Sequence, residues 1–142
     1  MSTPPKPPQR SACPINMALE ILGDRWSLLI VRDLMFIGRR QFGDFLASDE
    51  KIATNILSNR LASLARDGII ESLPDANDRR RTHYVLTERG FGLAPMVGEL
   101  IVWSAHHHDT AAPPAVVEAI SHYRADWIAA MRKMWMKSLD GN

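Results

Sequence analysis

The fold class read from this sequence is mainly α with one small β-hairpin (α+β), arranged as a single domain with flanking helices. Three observations carry that reading. The chain has 142 residues and 46% of them are apolar, enough to bury a core without cross-links. Apolar residues recur at helical spacing in successive stretches punctuated by glycine and polar turns. Finally, two short runs rich in β-branched residues flank one polar, basic turn.

The elements follow in order. Residues 1–11 are Pro-rich and have little to bury, so a disordered arm is expected. Cys13-Pro14 opens a first helix, because proline suits the first helical position. Ile15, Ala18, Leu19 and Leu22 form its stripe, and Gly23 closes it. Asp24 is placed to cap a second helix bearing Trp26, Leu29, Ile30 and Leu34, ended by Gly38. Phe42, Phe45 and Leu46 mark a short third helix, and a fourth runs from about Ala53 to Arg66 before Asp67-Gly68. Strands are expected at 69–73 and 82–86, joined through Pro74–Asp78 and Arg79-Arg80-Arg81. Thr87 caps a further helix that reaches His106-His107-His108. Residues 109–114 form a linker, and one last helix is expected from about Ala115 to Lys137. Three helices followed by a basic hairpin is the order of a winged helix-turn-helix. The domain plan is therefore an arm at 1–11, a winged helix-turn-helix DNA-binding domain at 12–108, and a linker with a dimerisation helix at 109–142.

Charge and chemistry narrow the class. The net charge is only +1, but arginines cluster at Arg39-Arg40 and Arg79-Arg80-Arg81, and local basic points on one face serve a small reader of duplex DNA. The single cysteine cannot form an internal disulfide. No apolar run approaches the roughly 20 residues of a membrane span, and the N-terminus lacks a secretory apolar segment. A soluble, cytoplasmic protein without membrane contact is expected. No nucleophile–base pair, metal-ligand spacing or Gly-rich phosphate loop is visible, so neither an enzyme nor a cofactor or metal site is expected.

The fourth helix carries the sharpest signal. At about 100° per residue, Ala53, Leu57, Leu61 and Leu64 share one buried face. Thr54, Asn55, Ser58 and Asn59 lie outward, with Ala62 and Arg66. Small amide and hydroxyl groups let a helix approach a major groove and address base edges. Arg60 falls on the buried side, so a structural ion pair with an acid such as Asp33 or Asp44 is expected, not a base contact. Arg39 and Arg40 are candidate phosphate contacts at the start of the third helix. Arg79 and Arg80 are expected to meet phosphate or a minor groove from the wing, and Arg81 with them less directly, because strand residues alternate sides.

Several stretches resemble a known family. Cys13-Pro14-Ile15, Gly23-Asp24-Arg25-Trp26-Ser27-Leu28-Leu29-Ile30, Arg32-Asp33-Leu34 and Arg40-x-Phe42-Gly43-Asp44-Phe45 are similar to the HxlR-type bacterial regulators. So are Ile52-Ala53-Thr54-Asn55-Ile56-Leu57-Ser58-x-Arg60-Leu61, Leu64-x-x-x-Gly68-Ile69 and Tyr84-x-Leu86-Thr87-x-x-Gly90. The match runs in order over residues 13 to 103. The resemblance implies a dimeric transcription factor, with the fourth helix in the major groove and the wing beside it. It also implies dimer contacts from the N-terminal segment and the helices after the wing. Two departures stand out: the wing is richer in arginine than the Pro-Pro-Arg pattern frequent there, and the chain continues into an extra helix from Ala115.

That extra helix carries the stripe Val116, Ile120, Tyr123, Trp127, Met131 and Trp135, read as a homodimer interface; folding back on its own domain is the alternative. Cys13, just ahead of a helix start, is a candidate redox sensor, with a structural residue before proline as the alternative. His106, His107 and His108 point in three directions and cannot converge on one ion, so a polar helix end is expected. Met131, Met134 and Met136 with Trp127 and Trp135 could line a pocket for a flat small-molecule effector, although core packing accounts for such residues more simply. The functional expectation is a sequence-specific regulator, a repressor, binding a palindromic operator in double-stranded DNA as a homodimer and answering to a redox or small-molecule signal. The alternative is a winged-helix protein-interaction module without DNA binding, against which the basic wing argues.

Overall fold

Helix α1 (Pro14–Leu22) starts where the sequence places it, with Pro14 at its first position and Cys13 as its N-cap. The computed structural model describes residues 5–140. Residues 1–4 of the expected arm, and residues 141–142, lie outside the described residues. Residues 5–11 have no regular secondary structure and run exposed beside α1. Arg10 tethers them, its guanidinium 3.6 Å from Glu20 and 2.7 Å from the Asn16 amide oxygen.

The second helix begins later than expected. Asp24 does supply the cap, but its carboxylate accepts the backbone N–H of Ser27 at 3.1 Å and the Ser27 hydroxyl at 2.6 Å. Helix α2 (Ser27–Arg32) therefore starts at Ser27 and widens into a π-helical turn over Asp33–Ile37. Gly38 ends it at φ +80°, a left-handed conformation that glycine adopts without strain. Helices α3 (Phe42–Leu46) and α4 (Thr54–Arg66) follow as read, with Ala53 serving as the N-cap of α4. Strands β1 (Ile70–Pro74) and β2 (Thr82–Leu86) form an antiparallel pair running from Ile70 opposite Leu86 to Pro74 opposite Thr82.

Past the hairpin the helices are more broken than the apolar spacing implied. Thr87 accepts the Gly90 N–H at 3.0 Å and so caps α5 (Glu88–Phe91), but that helix stops within a turn. A new one, α6 (Ala94–His107), starts because Pro95 lacks the N–H and the clearance to sit inside a helix. The expected last helix is also two: α7 (Pro114–His122) and α8 (Arg124–Leu139), separated at Tyr123, whose φ −133°, ψ 44° is not helical.

This break decides the fate of the C-terminal stripe. Ile120 and Trp127 converge on Gly98 of α6, where an added Cβ would lie 3.1 Å and 3.0 Å from them. Trp135 stacks on Phe91, with centroids 4.9 Å apart, and its indole N–H donates to the Leu86 carbonyl at 2.8 Å. Arg132 caps the stack from 4.8 Å above Phe91 and pairs with Glu88. The reading of Val116, Ile120, Tyr123, Trp127, Met131 and Trp135 as a dimer interface is thus corrected. Ile120, Trp127 and Trp135 are buried inside the chain, Val116 and Met131 are half-buried, and only Tyr123 is exposed. The extra helices close the core against Leu34, Leu86, Phe91 and Val97. Met134 and Met136 point outward while Trp127 and Trp135 point inward, so these side chains do not enclose a common pocket.

Candidate nucleic-acid interface

Helix α4 is held by Leu57, Leu61 and Leu64, all buried, together with Ser63. With that face fixed by the core, Thr54, Asn55 and Asn59 are exposed and Ser58 is half-buried, the disposition expected of a reading face. Its groups are hydroxyls and amides, which both donate and accept. Behind them sits Arg60. Its guanidinium lies 3.4 Å from the Asp24 carboxylate and donates to the Asn59 amide oxygen at 2.6 Å and 3.2 Å. The expected structural ion pair therefore exists, but with Asp24, not with Asp33 or Asp44. Those two acids have other work. Buried Asp33 accepts from Arg32 at 2.8 Å and Arg39 at 3.2 Å, and Asp44 accepts the backbone N–H groups of Arg40 and Gln41 at 3.2 Å and 3.0 Å.

The two arginines ahead of α3 differ. Arg39 is committed to Asp33, within a cluster that continues through Arg32 to a two-pronged pair with Glu50 at 2.8 Å and 2.9 Å. That pairing holds the Glu50 carboxyl down at about 2, the hydrogen bond from Arg32 being the main cause. Arg39 thus serves the fold at the π-helical turn through Asp33. Arg40 is half-buried, and its carbonyl accepts the Tyr84 N–H at 2.8 Å, joining the start of α3 to β2.

That junction continues into the wing. Gln41 bridges to His83, and the Gln41 side-chain amide donates to Asp75 at 3.2 Å. Asp75 also accepts the backbone N–H groups of Asn77 and Asp78 at 2.8 Å and 3.1 Å, which hold its carboxyl below the usual range. The Asp75 N–H in turn donates to the Arg81 carbonyl at 3.0 Å. One carboxylate therefore shapes the wing turn and ties it to the helix-turn-helix. Arg79, Arg80 and Arg81 are all exposed and lie in this turn, ahead of β2, so strand alternation does not sort them. Asp78 pairs with Arg80 at 3.1 Å and Arg81 at 3.9 Å, and the Arg80 bond lowers its carboxyl. Exposed pairs of this kind are weak and yield readily to a phosphate.

Other singled-out residues lie elsewhere. Cys13, the single cysteine of the chain, is exposed at the start of α1. His107 and His108 pack on Trp103 at the end of α6, at 4.9 Å and 5.8 Å. Among the described residues no group of three His, Cys, Asp or Glu is placed to hold a metal ion, and no helix is long and apolar enough to cross a membrane. Sequence reasoning missed the Asp75–Gln41 tie, whose signal was the Asp-x-Asn-Asp turn after Pro74, and the Arg32–Glu50 pair, which periodicity does not report.

The comparisons with known proteins agree with this geometry. The family profile described as HxlR-like helix-turn-helix matches residues 21–112. The HTH-type transcriptional regulator Mb3122 of Mycobacterium bovis is 39% identical over 89 residues, covering 63% of this chain and 55% of that protein. The chain thus spans little more than half the length of these mycobacterial relatives. Among solved structures, PA1607, described as a candidate transcription factor, superposes with a TM-score of 0.65 at 32% identity, covering 74% of this chain and 72% of its own. The reduced form of the transcriptional regulator YodB from B. subtilis gives 0.56 at 30%, covering 68% and 95%. The chain belongs to the HxlR-like helix-turn-helix family, a family of transcription regulators and not of enzymes.

Proposed function

We propose that this protein is a transcriptional repressor that binds a palindromic operator in double-stranded DNA as a homodimer. The observation that carries the reading is the joint presentation of an uncharged amide–hydroxyl face on α4 and an exposed arginine turn tied to the same helix-turn-helix through Asp75. Thr54, Asn55, Ser58 and Asn59 enter the major groove, and Arg79, Arg80 and Arg81 meet the backbone or minor groove beside it, with Arg40 at the α3 phosphate contact. Pairing of two chains is supported by apolar side chains left outward on α1 and α6. Ile15, Leu19 and Trp103 are each more than half exposed, and Met17, Met96 and Leu100 accompany them. A two-fold pair would set its reading helices about 34 Å apart, one turn of duplex. A protein-interaction module would have no use for the basic turn. Selection of bound duplexes from random DNA tests the reading: two inverted half-sites one helical turn apart are expected. Salt-insensitive retention with no enriched sequence would overturn it.

A second reading concerns the signal. Cys13 is exposed at the N-terminal end of α1, and YodB has been solved in reduced, diamide-treated and quinone-bound forms. We propose that oxidation or alkylation of Cys13 alters operator binding. Diamide should change the gel shift of the wild type and leave Cys13→Ser unaffected; an insensitive wild type removes the proposal.

A further inference from the structure

The Arg60 guanidinium fixes which end of the Asn59 amide faces outward. A guanidinium carries five N–H donors and no acceptor. The group turned toward it must therefore be the amide oxygen, and the bonds at 2.6 Å and 3.2 Å place it there. Arg60 is itself restrained: its side chain is about three-quarters buried, it faces the Asp24 carboxylate at 3.4 Å, and it reaches the Ser63 hydroxyl at 3.5 Å. Asp24 is held in turn by the N–H and hydroxyl of Ser27. The chain of contacts runs from the turn before α2 to the outward face of α4. It leaves the NH2 of Asn59 as the group presented to solvent.

This matters because asparagine reads adenine with both ends, donating to N7 and accepting from the N6 amino group. An amide whose oxygen is engaged loses the second half of that contact. Its two remaining hydrogens match a base edge that offers acceptors only, and the guanine edge offers O6 and N7 side by side. We infer that Arg60 is a positioning residue that makes Asn59 a donor-only reader, selecting guanine over adenine at one base pair in each half-site. The inference rests on the DNA-reading function proposed above and deepens it.

Binding-site selection with the full chain separates the two. The wild type should enrich guanine over adenine about fivefold or more at one half-site position, as one bidentate contact does. Asn59→Ala should flatten that position alone. Asn59→Asp keeps the contact with Arg60 but turns an acceptor outward, so it should move the preference to cytosine, whose N4 donates. Arg60→Met, in a variant with a normal thermal transition, should let the amide rotate and shift the same position toward adenine. No enriched sequence with the wild type overturns the DNA-reading function itself. An enriched site whose Asn59-dependent position is adenine overturns this inference alone, as does a guanine preference that survives Asn59→Asp. The Asp variant leaves Arg60 and the core untouched, so the test stands even where Arg60→Met does not fold.

Discussion

Replacing Trp135 with alanine tests whether the C-terminal helices belong to the core of their own chain. Trp135 is 5% exposed, stacks on Phe91 and donates to the Leu86 carbonyl at the foot of the wing. Truncating a buried tryptophan costs about 3–5 kcal/mol, and the deserted carbonyl accounts for about 1–3 kcal/mol of such a loss. Against a total stability of about 5–15 kcal/mol, that is a large fraction. With a urea dependence of about 1–3 kcal/mol per molar, the unfolding midpoint should fall by more than about 1 M at fixed protein concentration. Trp135→Phe keeps the stacking and loses only the donor, so it should fall by about a third as much. Circular dichroism in urea, paired with sedimentation, reads both quantities. A midpoint almost unchanged in Trp135→Ala, with the oligomer falling apart, would place Trp135 at a partner surface and refute the assignment.

Three further outcomes follow from the same contacts. Glu50 titrates at about 2 in the fold against 4.5 unfolded, because of its hydrogen bond from Arg32. A depressed carboxyl stabilises above its unfolded value, so that contribution is complete above about pH 4.5 and drains away toward pH 2; Glu50→Gln should flatten this part of the stability profile. Gly90→Ala places a Cβ 2.1 Å from the Ile69 carbonyl oxygen, so α5 must shift away from the backbone just ahead of β1, at a cost of about 1–3 kcal/mol seen in thermal melting. An unchanged transition would show that the approach is not tight. Asp75→Ala should speed amide exchange at Asn77 and Asp78, whose N–H groups lose their acceptor, with protection on α4 preserved; equal exchange in both proteins would mean that the turn is held by other means.

How far the sequence could be read depended on how local each cause was. The outward face of α4 was legible because Leu57, Leu61 and Leu64 fix its rotation, and the same wheel anticipated that Arg60 enters an ion pair. Its partner was not legible: Asp24 lies 36 residues away, and spacing carries no information about which acid a folded arginine meets. Thr87 announced a helix start, but the interruption before Pro95 was overridden by a continuous apolar count. The C-terminal stripe was found residue by residue and given to the wrong neighbour. An amphipathic helix states that a face must be covered, whereas only the turn at Tyr123 and the small Gly98 decide that its own domain covers it. The Asp75 tie depends on three segments meeting, α3, the wing turn and β2, so no single stretch could reveal it.

The division of labour between α4 and the wing is the centre of this account, and equilibrium binding to the selected duplex at several salt concentrations tests it most directly. The double substitution Arg79→Ala, Arg80→Ala should weaken binding to all sequences alike and reduce the slope of log K against log salt by about one to two. Asn55→Ala should leave that slope intact and change the preference at particular base pairs. The reverse result, with the arginines setting base preference and Asn55 setting the salt slope, would contradict the assignment of reader and wing.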